Sequence, residues 1–156
     1  MKKFFTCFFT FLFANFIQQA SACTIFESAI TSVPLNYTGI PNSYRMQIAG
    51  IVLNARKWPD VEIQAEIIAS AATAEKKPRQ LAQLRGDEIR DFLIQLGVEA
   101  QHIYIDTHVM TEPLPSDSTG PGGYKQLRVS LMPFCKNGCQ NLCDDPRITP
   151  TSRAIK

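Results

Sequence analysis

Leu81-Ala82-Gln83-Leu84-Arg85-Gly86-Asp87-Glu88-Ile89-Arg90-Asp91-Phe92-Leu93-Ile94-Gln95-Leu96-Gly97-Val98 carries the strongest periodic signal in the chain. Leu81, Leu84, Ile89, Phe92, Leu93 and Leu96 trace one helical stripe. Pro78 suits the first turn, where its missing N–H is not needed, and Gly97 suits the position after the last turn. An amphipathic helix needs an apolar surface to lie on, and the flanking sequence supplies strands for it. Val61, Ile63, Ala65 and Ile67 alternate with Glu62, Gln64 and Glu66, the period of a strand with one buried face. On the other side, Ile103, Ile105, Thr107 and Val109 alternate with Tyr104, Asp106 and His108. Leu127, Val129 and Leu131 alternate with Gln126, Arg128 and Ser130.

Further upstream, Tyr44, Ile48, Ile51, Val52 and Ala55 fall at helical spacing, with Asn42 or Ser43 available as N-cap and Pro59 beyond the end. Ile25 to Leu35 is rich in β-branched residues and reads as a strand, which Pro34 confines to an edge or an end. Three prolines and three glycines between Glu112 and Tyr124 read as a loop. The order is β-α-β-α-β-β. It predicts an α/β fold, an α+β two-layer sandwich in which two helices cover one face of a mixed four-stranded sheet. A ferredoxin-like strand order is the alternative.

The first 22 residues have a different character. Lys2 and Lys3 precede a 14-residue apolar run from Phe4 to Ile17, and Ala20-Ser21-Ala22 closes a polar segment. Charge, then grease, then small residues is the signature of a cleaved export signal, and the run is short for a membrane span. Residues 23–134 then form one domain and 135–156 a cysteine-bearing tail. Cleavage removes two lysines, so Lys plus Arg falls from 16 to 14, equal to the 14 Asp plus Glu. A neutral chain without a basic block offers no footprint for nucleic acid. Cys23, Cys135, Cys139 and Cys143 survive cleavage, an even number suited to disulfides in an oxidising compartment. Four cysteines allow three pairings. Cys23 as first mature residue also opens a lipoprotein reading, and only then is a membrane a partner, although Ala20 stands where a lipobox has a bulky aliphatic residue.

The sequence holds no Gly-x-Ser-x-Gly, no phosphate-cradling glycine loop and no His-Glu-x-x-His. His102 and His108 are too far apart on a strand, roughly 20 Å at ~3.3 Å per residue, to share a metal. They read as surface histidines on its wet side. These features predict a non-enzyme with no metal and no cofactor.

Leu81 to Val98, followed by Ile103 and by Arg128-Val129, resembles the OmpA-like domain family, the peptidoglycan-associating module of bacterial envelope proteins. The family pattern is Leu-Ser-x-x-Arg-Ala, a helix closing on Leu-x-x-x-Gly-Val, a strand beginning Arg-Ile, and a late Asn-Arg-Arg-Val. Pro113 falls where the family carries a proline. The resemblance covers Thr31 to Pro133. It implies the same sandwich, a periplasmic place (or an outer-membrane one through lipidated Cys23), and peptidoglycan stem peptide or another envelope protein as partner.

The family holds diaminopimelate between an arginine, which accepts a carboxylate in fork geometry, and an aspartate 15 residues earlier, which pairs with the ammonium. Arg85 matches the arginine. Ser70, in Ile67-Ile68-Ala69-Ser70, stands where the aspartate belongs; Pro78 replaces an asparagine; Gln126-Leu127-Arg128 keeps one arginine of Asn-Arg-Arg. The candidate ligand set is therefore Arg85, Ser70, Arg128 and Glu75, the last as a substitute acid, with Arg85 facing a cleft. Lys76, Lys77 and Arg79 sit at a helix N-terminus suited to an anion, or form a solvated basic rim. Two function classes lead: a cell-wall binding module, and a domain that keeps the fold, has lost the ligand and contacts another protein.

Overall fold

The computed structural model describes residues 23–111, 125–136 and 138–153. The export segment, the loop read between Glu112 and Tyr124, and Pro113 lie outside them. The elements are β1 (Cys23–Thr24), β2 (Glu27–Thr31), α1 (Asn42–Ala55), β3 (Glu62–Ala72), α2 (Pro78–Gln95), β4 (Ile103–Met110), β5 (Leu127–Phe134), α3 (Gln140–Cys143) and β6 (Ser152–Arg153). A 3-10 turn, Ala100–His102, leads into β4.

The main sheet has the order β2-β5-β3-β4. Strands β3 and β4 run parallel, as the α2 crossover between them requires, and the other neighbours are antiparallel. Alternation along the strands turns Ala29, Ala65, Ile67, Ala69, Leu127, Val129 and Leu131 to one face. There they join Tyr44, Ile48, Ile51, Val52, Ile89 and Leu93 of the two helices in one buried core. The expected sandwich is therefore present, with β2-α1-β3-α2-β4-β5 as its core order. Tyr44 is fully buried, donates its hydroxyl to the Ala29 carbonyl at 3.1 Å, and so ties α1 to β2. Burial pushes that phenol well above its ordinary range.

Several local expectations are corrected. The apolar stripe of α2 is rotated: Leu84 is exposed, while Arg85 and Gly86 lie with Leu81, Ala82, Ile89 and Leu93 on the buried side. Neither Asn42 nor Ser43 caps α1; Pro41 holds the N-cap position, with no side-chain bond to the helix end. Of the expected Ile25–Leu35 strand only Glu27–Thr31 forms, and Cys23–Thr24 before it pairs with Ser152–Arg153 in a separate two-stranded sheet. Strand β3 runs five residues beyond Ile67, through Ile68 and then four small residues, Ala69 to Ala72, all buried, which break the alternation. His102 is not on a wet face: it stacks on Phe134 beside Glu62, while His108 is exposed and bonded to Asp106 at 2.8 Å.

The tail is packed. Leu142 and Ile148 belong to the same core. The bridges are Cys23–Cys143, across 120 positions, and Cys135–Cys139, across four. By the chain-entropy argument the long loop contributes more, roughly 2–5 kcal/mol. Among the described residues no helix is long and apolar enough to cross a membrane.

Gly86 fixes how close α2 comes to the sheet. A Cβ there would stand 2.7 Å from Ile105 Cγ2 and 3.5 Å from Ala69 Cβ. Gly86→Ala improves helix propensity yet overpacks this contact, so it should destabilise the fold by about 1–3 kcal/mol in chemical denaturation. A gain in stability would show that the contact is not tight.

Candidate functional site: a closed arginine–glutamate pair

Arg85 enters the core because α2 is pressed onto β3 at Gly86, one residue further on. A guanidinium there must find partners for its donors or lose several kcal/mol of solvation. It finds them on three segments. Nε donates to the Tyr37 carbonyl at 3.0 Å, and Nη1 donates to the Ser70 carbonyl at 2.8 Å. Glu75 fills the fork: its Oε1 accepts from Nη2 at 2.7 Å and its Oε2 from Nη1 at 3.2 Å. Both side chains are 0% exposed.

The carboxylate is saturated in turn. Glu75 Oε1 also accepts the Asn36 N–H and Oε2 the Ala72 N–H, each at 2.8 Å. The Glu75 N–H returns a bond to the Ala72 carbonyl at 2.9 Å, closing the turn after β3 in both directions. Burial raises the carboxyl pKa, but the bonds from Arg85, Ala72 and Asn36 outweigh it, and Glu75 is held below its ordinary value.

The loop between β2 and α1 forms the lid. Asn36 adopts a left-handed backbone, with φ of 60°, which asparagine tolerates better than most residues. Its Oδ1 accepts the Lys76 N–H at 2.6 Å. Gln126 anchors the start of the loop by a reciprocal pair with the Val33 backbone, at 3.0 and 3.1 Å. A hollow of about 280 Å³ on the outer side is lined by Asn36, Lys76, Lys77 and Leu81, but not by Arg85, Glu75 or Ser70.

Three of the four sequence candidates meet here, in other roles than those expected. Arg85 does not face a cleft, because Glu75 and the lid enclose it. Ser70 serves through its carbonyl, while its hydroxyl donates to the Gln126 carbonyl at 3.0 Å. Glu75 reaches Arg85, but as the occupant of its fork. Arg128 is elsewhere: exposed on the face of the sheet turned away from the helices, it sits in register with Ile30 and Ile68. Asn36, Tyr37 and Ala72 were not anticipated, since they act through backbone atoms. Among the described residues no group of three or more His, Cys, Asp or Glu could hold a metal.

No protein-family model and no curated protein sequence matches this chain. Solved structures do. The OmpA-like domain of FopA1 from Francisella tularensis subsp. tularensis SCHU S4 is 14% identical, covers 74% of this chain and 83% of that one, and superposes with a TM-score of 0.50. The C-terminal domain of Helicobacter pylori MotB gives 19%, 71%, 87% and 0.52 for the same measures. The periplasmic domain of the same MotB gives 15%, 77%, 83% and 0.51. The fold is OmpA-like. At these identities the likeness concerns the backbone, and the side chains of this OmpA-like fold must be read on their own.

The pair generates a stability prediction. Glu75→Gln leaves the buried guanidinium uncompensated and should cost about 3–5 kcal/mol. Because the folded pKa of Glu75 lies below its ordinary value of 4.5, its contribution is complete above that pH. It is lost as pH falls through the folded value. Denaturation curves between pH 7 and pH 3 should show this acid limb in the native chain and a weaker one in Glu75→Gln. Equal acid sensitivity in both would contradict it.

Proposed function

We propose that this chain is an exported envelope protein whose OmpA-like fold serves as a structural or protein-interaction module, with the stem-peptide site closed from within. The observation that carries the reading is Glu75, bidentate on Arg85 with both side chains out of water. A ligand carboxylate would have to displace a carboxylate that already holds four hydrogen bonds, two of them from the backbone of two segments. Among the described residues Ser70 stands where the ligand's ammonium would meet an acid, and a serine hydroxyl cannot neutralise it.

The cysteines and the N-terminal segment support an exported place for it. Two disulfides need an oxidising space, and the residues before Cys23 read as an export signal. One of the structural neighbours from MotB is a periplasmic domain by its own description. Sγ of Cys23 is bonded to Cys143, so it has no thiol left for a lipid thioether. This supports a soluble periplasmic chain over an outer-membrane lipoprotein.

Co-sedimentation with purified sacculi tests the reading. The native chain should stay in the supernatant, and its mature N-terminus should carry no diacylglyceryl mass. Retention that is released by excess free stem peptide would restore the wall-binding module.

A further inference from the structure

We propose that the outer edge of β4, with the groove beside it along α2, receives an extended peptide bearing acidic side chains from a partner protein. The proposal rests on the interaction-module reading above and gives it a surface.

Strand β4 pairs with β3 alone among the described residues, which leaves eight residues of edge. The Met110 carbonyl accepts the Thr73 N–H, so Met110 turns its peptide groups toward β3. Alternation along the strand then directs those of Ile105, Thr107 and Val109 outward. The other edge, β2, has five residues and is followed closely by Pro34. Long edges are usually blunted by lysine, proline or a bulge. On β4 Asp106 and His108 bond each other at 2.8 Å, and no proline or lysine occurs in the strand.

Beside this edge lies a groove of about 820 Å³, with Thr107 and Val109 as its floor and Pro78 and Gln83 on its α2 side. Lys77 and Arg79 complete its lining. Neither has an ion pair among the described residues, whereas Arg45, Arg85 and Arg90 each hold a carboxylate. Asp87, further along α2, is taken by Arg90 at 3.1 Å and Gln83 at 3.2 Å. Among the described residues the groove thus carries two free cations and no free anion. An added strand would satisfy the outward backbone groups of β4 and set alternate side chains into the groove. Apolar ones would meet Val109 and Pro78, and carboxylates would meet Lys77 and Arg79. The chemistry selects an acidic extended segment.

The test uses the 15N-labelled mature chain with disulfides intact, titrated with a decapeptide alternating valine and threonine with glutamate, and with its lysine counterpart. The glutamate peptide should shift the Thr107 and Val109 amides and bind roughly tenfold more tightly than the lysine peptide at low salt. The double variant Lys77→Glu with Arg79→Glu should invert that preference. Val109→Pro, which removes one outward N–H at an edge position that proline tolerates, should abolish the shifts while leaving the rest of the spectrum native. Silence at millimolar peptide, equal responses to both peptides, or peptide-free self-association through the β4 amides would overturn the proposal. Each of those outcomes is independent of sacculus retention, so this surface can fail while the interaction-module reading stands.

Discussion

A guanidinium in a protein core is tolerated only when its charge and its donors are met together, and the Arg85–Glu75 contact meets both. Four parts of the chain contribute. Helix α2 brings the arginine, the turn after β3 brings the glutamate, the end of β3 brings the Ser70 carbonyl and the Ala72 N–H, and the loop before α1 brings Asn36 and Tyr37. Remove the carboxylate and the loop loses its tie to the sheet while a charge is stranded. The arrangement is therefore a fastening that ties the loop before α1 to the end of β3 and to α2.

Other features set the distances that make the fastening possible. Gly86 lets α2 approach Ile105 closely enough for its neighbour Arg85 to lie under the lid rather than over solvent. At the far end, the tail joins Cys23 and Thr24 through the Cys23–Cys143 bridge and the β1–β6 pair, so both ends of the described fold are anchored. One salt bridge between the helices adds detail: Arg45 of α1 reaches Glu88 of α2 and lies over the Phe92 ring. Both side chains are a third exposed, so their contribution is modest.

The layer architecture was legible because Tyr44, Ile48, Ile51 and Val52 keep helical period, and Ile103, Ile105 and Thr107 keep strand period. What periodicity hides is phase and partnership. A leucine at 84 and an arginine at 85 suggest the leucine for the core; the reverse holds because the guanidinium has fixed partners there, while Leu84 is left half exposed. Ala69 to Ala72 extend β3 without alternating, since small residues fit under a close helix on either face. Leu142 and Ile148 are single apolar residues in a polar tail, and only their three-dimensional neighbours reveal them as core. Glu75 sits in a run of charges that reads as a solvated rim. Its burial depends on the Asn36 N–H, 39 positions away, which no local pattern encodes.

The central claim is that the Arg85 guanidinium is permanently occupied by Glu75. Nitrogen-15 NMR of the arginine side chains at neutral pH tests it most directly. The Arg85 guanidinium protons should exchange with water far more slowly than those of the exposed arginines, and millimolar diaminopimelate stem peptide should leave their signals in place. Rapid exchange, or a shift of those signals that saturates with the peptide, would mean that the fork opens and takes a ligand after all.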